Sequence, residues 1–282
     1  MTSIKGVTET GSVLDRIVAD LQEPLERARR EQPESFLREQ LQDFSNGNGL
    51  NRRTAEVTGD EADHPQIHII AEIKKASPSR GVLAEDLDHL AVARAYTQAG
   101  ATGISVVTEP NYFLGDLRWL RDIRRMLQQA FPGTRPTILR KDFLVTPYEV
   151  LQSRAYGADN ILLIVAILDD SLLKDLLAEA QQLSLDALVE VHTEAEAERA
   201  AKAGATLFGI NNRDLHTFDV DLATTERIRP LLPRDAIVVG ESGVHTRADV
   251  ERLQRAGVRA ILVGEAFMTA PDIAAKMAEL RG

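Results

Sequence analysis

The segment "AGATGISVV", residues 99–107, joins the end of an amphipathic stretch to a short apolar run, and its pattern recurs along the chain. Three later segments also place a glycine just before an apolar run: "YGADNILLI" at 156–164, "AGATLFGIN" at 203–211 and "AGVRAILVG" at 256–264. In each segment the glycine stands where a helix would end, a position that favours a left-handed backbone. The repeat therefore predicts helices that run directly into strands and that end at Gly100, Gly157, Gly204 and Gly257.

The same alternation extends from residue 67 to the end of the chain. Eight short runs rich in β-branched and apolar residues begin at residues 67, 102, 136, 160, 186, 206, 236 and 260. The stretches between them carry apolar residues at three- and four-residue spacing, which is typical of βαβ units and a parallel sheet. Eight such units predict an α/β fold, a (β/α)₈ TIM barrel over residues 66–282. A doubly wound open sheet is the alternative that this pattern leaves open.

The composition limits the classes of function. The 282 residues include 33 basic and 43 acidic ones, and the net charge of -10 argues against nucleic acid or a membrane as the main partner. The chain has no cysteine, which excludes disulfides, thiolate metal sites and thiol nucleophiles and favours a cytoplasmic location. No apolar stretch approaches the ~20 residues of a membrane span, and the first residues lack the apolar core of a secretory signal.

The first 65 residues differ in character from the rest. An apolar stripe and a second helical piece, "SFLREQLQDF" at 35–44, precede a polar, glycine-containing segment at 45–65. The stripe consists of Leu14, Ile17, Val18, Leu21 and Leu25. We expect residues 1–65 to form an N-terminal helical extension and polar linker packed on the barrel, because this segment is too small to fold alone.

Charged residues end the first predicted strand, "IHIIAEI". Successive strand residues point to opposite faces, so Glu72 and Lys74 share the face that alternates with Ile73. The apolar face belongs under the helices, which predicts that both charges point into the barrel near its carboxyl end, where barrel enzymes carry their chemistry. Lys75 is out of phase and is expected to lie at the surface or in a loop.

Five more predicted strands end in polar residues or glycines, which should lie at the same rim. The residues at these strand ends are Lys141, Glu190, Asn211 with Arg213, Ser242, and Gly264 with Glu265. Any one of them alone would suit a solvated rim, but several interacting titratable groups at one rim favour a functional site. The glycine turns after the last two strands, at Gly243 and Gly264, also suit a phosphate held by backbone N–H groups, including that of Glu265. The histidines show no metal-ligand spacing, and no metal is expected.

Together these segments resemble the indole-3-glycerol-phosphate synthase family of tryptophan biosynthesis. The resemblance rests on "AEIKKASPSRG", "VVTEPNYFLGDL", "LRKDFLV", "LLIVAIL", "LVEVHTE", "GINNRDLHTFDVDL", "GESGV" and "LVGEAFM", in the family's order and one per strand region. It implies a carbon–carbon lyase that converts 1-(o-carboxyphenylamino)-1-deoxyribulose 5-phosphate to indole-3-glycerol phosphate by ring closure, decarboxylation and dehydration. It implies no metal or organic cofactor, and a helix of the N-terminal extension over the barrel mouth.

The resemblance also implies roles for individual residues. Lys141 matches the family's general acid, Glu190 a catalytic carboxylate, and Glu72 with Lys74 an acid–amine pair whose division of labour stays open. Asn211 and Ser242 match orienting groups. The remaining matches concern substrate binding: Ser77 near the substrate carboxylate, Arg213, Gly243, Gly264 and Glu265 near the phosphate, and Phe113, Phe143, Leu162 and Leu215 around the anthranilate ring.

Two other kinds of protein would share many of these residues. Another phosphate-binding barrel enzyme, such as a lysine Schiff-base aldolase, would also use a strand-end lysine. A non-catalytic paralogue would retain the phosphate site but lose catalytic residues, and all six matched catalytic residues are present. The expected partner is the small phosphorylated anthranilate substrate, without nucleic acid or membrane, and a monomer is expected.

Overall fold

A closed barrel of eight parallel strands forms the centre of the molecule. The computed structural model describes residues 4–41, 50, 66–133 and 135–282. The barrel strands are β1 (His68–Ile73), β4 (Gly103–Val107), β5 (Thr137–Lys141), β6 (Asn160–Ile164), β7 (Asp186–Val191), β8 (Leu207–Asn211), β9 (Ile237–Glu241) and β10 (Ala260–Val263). β1 pairs with both β4 and β10, which closes the sheet. The TIM barrel is confirmed, and the open sheet is the wrong alternative.

Helices alternate with these strands and surround them. The helices are α1 (Val13–Ala19), α2 (Gln22–Glu31), α3 (Glu34–Gln40), α4 (His89–Gln98), α5 (Arg118–Ala130), α6 (Pro147–Ala155), α7 (Asp170–Gln182), α8 (Glu194–Ala203), α9 (Ala223–Ile228), α10 (Arg247–Arg255), α11 (Glu265–Met268) and α12 (Ile273–Arg281). Single 3₁₀ turns occupy Val165–Ile167 and Arg229–Leu231. Within the described part of the chain, no helix is long and apolar enough to cross a membrane.

The four repeat glycines adopt the conformation that their positions predict. Their φ angles are 82°, 89°, 95° and 87° at Gly100, Gly157, Gly204 and Gly257. Each lies between the end of a helix and the start of the next barrel strand. A residue with a Cβ atom is strained in this region, so glycine here lets the chain turn sharply from helix to strand.

The contact between α4 and β1 fixes the orientation of the strand that ends in Glu72. Tyr96 of α4 is fully buried, and its hydroxyl donates a hydrogen bond to the Glu72 carbonyl at 3.0 Å. The Tyr96 ring also packs on Phe267, with 5.7 Å between the ring centroids. Because the helix side of β1 is occupied in this way, the Glu72 side chain is left to face the barrel interior.

The N-terminal helices contact the outside and the mouth of the barrel. Leu37 of α3 is fully buried, and the Tyr148 hydroxyl of α6 donates to the Gln32 carbonyl at 2.9 Å. The predicted linker at 45–65 lies outside the described residues except for Leu50, whose N–H donates to Asn160 Oδ1 at 2.8 Å. The division of the chain at residue 65 stays a prediction.

The left-handed glycines allow a direct test of the helix-to-strand turns. Gly204→Ala should lower the free energy of unfolding by about 1–2 kcal/mol, because alanine is strained at a φ of 95° although nothing lies within 4 Å of the added Cβ. Gly133→Ala is the matched control, since that position is equally open and has no positive φ. Urea denaturation measures both. Equal stability of the two variants would contradict the explanation.

Candidate active site

One cavity at the carboxyl ends of the barrel strands brings together all of the predicted site residues. It is lined by Glu72, Lys74, Ser77, Phe113, Lys141, Phe143, Leu162, Glu190, Asn211, Arg213, Leu215, Ser242, Gly243, Gly264 and Glu265. Residues of α1 and the Glu241 side chain complete the lining. The strand ends predicted that the charged and polar side chains meet, and the family resemblance predicted Ser77, Phe113, Phe143, Leu162 and Leu215. The chemical roles of all these residues stay predictions.

Lys141, at the end of β5, is the central cation of the cavity. Its Nζ lies 3.1 Å from Glu190 Oε2 and 3.2 Å from Glu241 Oε2, and its side chain is 19% exposed. Burial by itself would lower the pKa of the Lys141 ammonium. The nearby charges of Glu190, Glu241 and Glu72 act in the opposite direction and raise the pKa of Lys141 well above its ordinary value. The group is therefore a stable cation before any ligand arrives.

Glu190, on β7, is held in its ionised form by two hydrogen-bond donors, Lys141 and Asn211, and by the nearby charge of His192. Asn211 Nδ2 donates to Glu190 Oε1 at 3.2 Å, and His192 Nε2 lies 3.3 Å from the same oxygen. Burial would raise the pKa of Glu190, but the Lys141 ammonium, His192 and Asn211 outweigh it and hold this pKa well below the usual range. Glu190 therefore stays a carboxylate.

Glu241, at the end of β9, was not among the predicted site residues. Its Oε1 is buried and accepts no hydrogen bond from the part of the chain that the structure describes. Burial, together with the charge of Glu190, raises the pKa of Glu241 to about 8 despite its contact with Lys141. Two carboxylates share one ammonium here, and Glu241 takes the proton because His192 and Asn211 stabilise the charge of Glu190. A sequence signal existed, since Glu241 directly precedes Ser242, at which the predicted strand ends.

Glu72 and Lys74 form a second acid–amine pair in the same cavity. Lys74 Nζ lies 2.6 Å from Glu72 Oε1. Burial would raise the pKa of Glu72, but Lys74 and then Lys141 lower it below its ordinary value, so Glu72 is ionised. A Cβ atom at Gly264 would lie 2.4 Å from Glu72 Oε1. Glycine at this position, at the start of α11, therefore leaves room for the carboxylate.

Apolar side chains form one wall of the cavity. The rings of Phe113 and Phe143 are 6.0 Å apart at 40°, and Leu162 and Leu215 also line this cavity. Helix α1 adds apolar side chains that sequence reasoning did not assign to the site: Val13, Leu14 and Ile17. The resulting site combines an apolar slot with a cluster of buried charges, which suits an aromatic ligand that carries polar groups.

The loops after β1, β8, β9 and β10 form the outer rim of the cavity. Arg213 Nη1 donates to the Phe218 carbonyl at 3.0 Å, which orders the loop after β8. After β1, a short hairpin of β2 (Ala76–Ser77) and β3 (Gly81–Val82) was not predicted, because two-residue strands leave no periodic pattern. Arg80 in this hairpin contacts Glu265 at 2.7 Å, so the first and last loops meet across the rim.

The raised pKa of Glu241 predicts a pH dependence of stability. Because the folded protein binds this proton more tightly than the unfolded chain, the stabilisation is complete below the ordinary pKa of 4.5 and is lost as the pH rises through about 8. The free energy of unfolding of the wild type relative to Glu241→Gln should therefore fall by at least about 1.4 kcal/mol between about pH 5 and pH 9. Denaturant titrations at several pH values measure this difference, and a difference that does not vary with pH would contradict the assignment.

The arrangement of residues agrees with the comparisons with known proteins. The family model described as indole-3-glycerol phosphate synthase matches residues 14–280. An indole-3-glycerol phosphate synthase of Dehalococcoides mccartyi (strain CBDB1) is 46% identical over 273 residues, which cover 95% of this chain and 99% of that protein. One from Roseiflexus sp. (strain RS-1) is 50% identical over 221 residues, covering 78% and 82%.

Solved structures agree with the architecture. A crystal structure of 3-hexulose-6-phosphate synthase superposes with a TM-score of 0.57 at 19% identity, covering 76% of this chain and 98% of that one, which supports the barrel fold alone. The family model and the similar sequences both extend over most of the length. On these grounds the chain belongs to the indole-3-glycerol phosphate synthase family.

Proposed function

We propose that this chain converts 1-(o-carboxyphenylamino)-1-deoxyribulose 5-phosphate to indole-3-glycerol phosphate, carbon dioxide and water. The observation that carries the proposal is the Lys141 ammonium, which is fixed between carboxylates beside an aromatic slot. This is an ordered proton donor at the place where an anthranilate-bearing ketone would react. Membership of the family supports the same activity.

The lining of the cavity suggests how the substrate is bound. The anthranilate ring would lie in the apolar slot against Phe113 and Phe143, with its carboxylate near Lys74 and Ser77. The phosphate would lie at the opposite rim, near Arg213 and the backbone of the two glycine turns that contain Gly243, Gly264 and Glu265. The chain is acidic overall, but these lysines and this arginine supply local positive charge for a substrate with two anionic groups.

Ring closure requires a proton for the ketone oxygen. The anthranilate carbon that bears the carboxylate attacks the ketone carbon, and the electron pair of the C=O bond moves to oxygen. Lys141 donates its proton to that oxygen, which gives a hydroxyl group and leaves the positive charge on the ring nitrogen. The ionised Glu190 and Glu72 stabilise this charge, because carboxylates fixed in a poorly solvated site interact strongly with a cation.

The remaining two steps restore aromaticity. Breaking the bond to the carboxylate releases carbon dioxide, and its electron pair neutralises the ring nitrogen. Dehydration then needs an acid for the departing hydroxyl and a base that removes a proton from the methylene carbon next to the nitrogen, which forms the C=C bond of the indole ring. We assign the base to Glu190, which is ionised and bonded to Asn211, and the acid to a lysine, Lys141 or Lys74. The proton that Glu190 accepts can return to Lys141 through their 3.1 Å contact.

A Schiff-base aldolase is the rival that also uses a strand-end lysine. Its nucleophile must be a neutral amine, and such lysines have lowered pKa values. Burial would lower the pKa of Lys141, but its carboxylate neighbours raise this pKa by more. A raised pKa favours a proton donor over an amine nucleophile. Borohydride treatment in the presence of substrate should therefore leave Lys141 unmodified, and trapping of a covalent adduct there would favour the aldolase.

The role of Lys141 predicts a large kinetic effect. Lys141→Ala should lower kcat by about 10²–10⁴-fold, the range that positioned general acids contribute, while circular dichroism shows a folded protein. The fluorescence of indole-3-glycerol phosphate formed from the synthetic substrate measures the rate. Lys75→Ala is the matched control, because this neighbour of Lys74 does not line the cavity, and it should retain near wild-type turnover. A Lys141→Ala protein with wild-type kcat would overturn the assignment.

A further inference from the structure

His192 is a buried side chain next to the proposed machinery that the mechanism above does not use as a reacting group. It follows Glu190 by two residues and shares its face at the end of β7. Its Nε2 lies 3.3 Å from Glu190 Oε1, and its Nδ1 lies 3.3 Å from Glu196 Oε2. The side chain is 10% exposed. The ring is therefore enclosed between two carboxylates, one in the cavity and one on α8.

This placement determines the charge of the ring. A neutral imidazole carries a proton on one nitrogen and a lone pair on the other, whereas the imidazolium carries a proton on both. With a carboxylate oxygen at 3.3 Å from each nitrogen, a lone pair on either one would face negative charge. Burial acts against the cation, but the two carboxylates outweigh it and raise the pKa of His192 to about 10.

The turn from β7 to α8 fixes the ring. Glu196 Oε2 also accepts the backbone N–H of His192 at 2.8 Å, so one carboxylate oxygen holds both the main chain and the side chain of that residue. The Thr193 side chain caps α8 by accepting the Glu196 N–H at 3.2 Å. The first turn of the helix thus keeps Glu196, and through it the imidazolium, at a constant position relative to Glu190.

We propose that His192 is a positioning residue of the active site, which holds the Glu190 carboxylate ionised and directed at Lys141. Glu196 holds the imidazolium of His192 in place. This inference rests on the proposed function, in which Glu190 accepts a proton. It adds a third charged group to the Lys141–Glu190 pair and extends the site to the N-terminus of α8.

The charged groups around the ring determine how loss of the His192 charge would change the pKa of Glu190. In the described part of the chain His192 faces Glu190 on its own strand and Glu196 on α8, and it acts at longer range on Asp214 in the loop after β8. Glu190 in turn contacts Lys141 and lies near Glu241. Without the His192 charge, Lys141 is the cation that remains in contact with Glu190. The ionised form of Glu190 is then less stabilised, so its pKa rises. A base that must be ionised then loses activity first at low pH.

His192→Gln separates charge from packing, because the glutamine side chain occupies a similar volume but carries no charge. Between about pH 4 and pH 8, the ratio of its kcat to that of the wild type should fall towards low pH, by up to about tenfold for each unit by which the pKa of Glu190 rises, with a smaller change in KM. His89→Gln, on α4 outside the cavity, is the control and should follow the wild type. A His192→Gln profile parallel to the wild type across this range would overturn the inference.

The helix partner supplies an independent test that leaves His192 in place. Glu196→Gln should shift the low-pH side of the kcat profile in the same direction but by less, because Glu190 still faces the imidazolium. Glu198→Gln is the matched control on the same helix, since Glu198 is 63% exposed and pairs with Lys202. Equal profiles for Glu196→Gln and Glu198→Gln would contradict the part assigned to Glu196.

The charge state can also be measured without turnover. In the wild-type protein labelled with ¹⁵N-histidine, the His192 signals, assigned by their loss in His192→Asn, should show protons on both ring nitrogens at pH 8. A neutral tautomer at that pH would overturn the inference. If the wild type formed no indole-3-glycerol phosphate, the proposed function would fail. If it were active and the ring were neutral, only the inference about His192 would fail.

Discussion

The interaction of the Lys141 ammonium with three glutamates, two of them in contact with it, is the one on which the site depends. A buried lysine without partners would lose its proton, because burial disfavours the charged form. Here Glu190 and Glu241 lie within 3.2 Å of Nζ, and the charge of Glu72 acts on it as well. The carboxylates in turn depend on the lysine, since Glu190 and Glu72 are ionised in its field whereas Glu241 takes a proton. Removing the lysine would leave several buried acids in contact without a cation.

The barrel explains why these four residues meet. Glu72, Lys141, Glu190 and Glu241 come from β1, β5, β7 and β9, the first, third, fifth and seventh strands around the barrel. Alternate strands of a TIM barrel contribute the four side chains of one layer, and this layer is the charged one at the mouth. Two glycines, Gly209 on β8 and Gly264 just after β10, leave it room. A Cβ atom at Gly209 would lie 2.0 Å from Glu241 Oε1, and one at Gly264 would lie 2.4 Å from Glu72 Oε1.

Much of this arrangement could be predicted from the sequence because it follows from two periodicities. The eight short apolar runs predict the number of βα units, and the alternation along "AEIKK" separates Lys74 from Lys75. Glu241 is not among the predicted site residues, because the predicted strand ends at its neighbour Ser242. The four-residue layer would have identified Glu241, since the seventh strand otherwise contributes nothing to it. The β2–β3 hairpin and the Arg80–Glu265 contact depend on how loops fold over the rim, which no short-range pattern encodes.

The charge of Lys141 was the question that the sequence could not answer, because neighbouring lysines lower an amine pKa and neighbouring glutamates raise it. Lys141 Nζ lies close to Glu190 and Glu241, so the glutamates have the larger effect and raise the pKa of Lys141. An NMR titration of protein labelled with ¹⁵N at the lysine side chains, with the Nζ signal assigned by its loss in Lys141→Arg, tests this most directly. The account predicts that Lys141 remains an ammonium beyond its ordinary pKa of 10.5. Loss of its proton at or below that pH would contradict it.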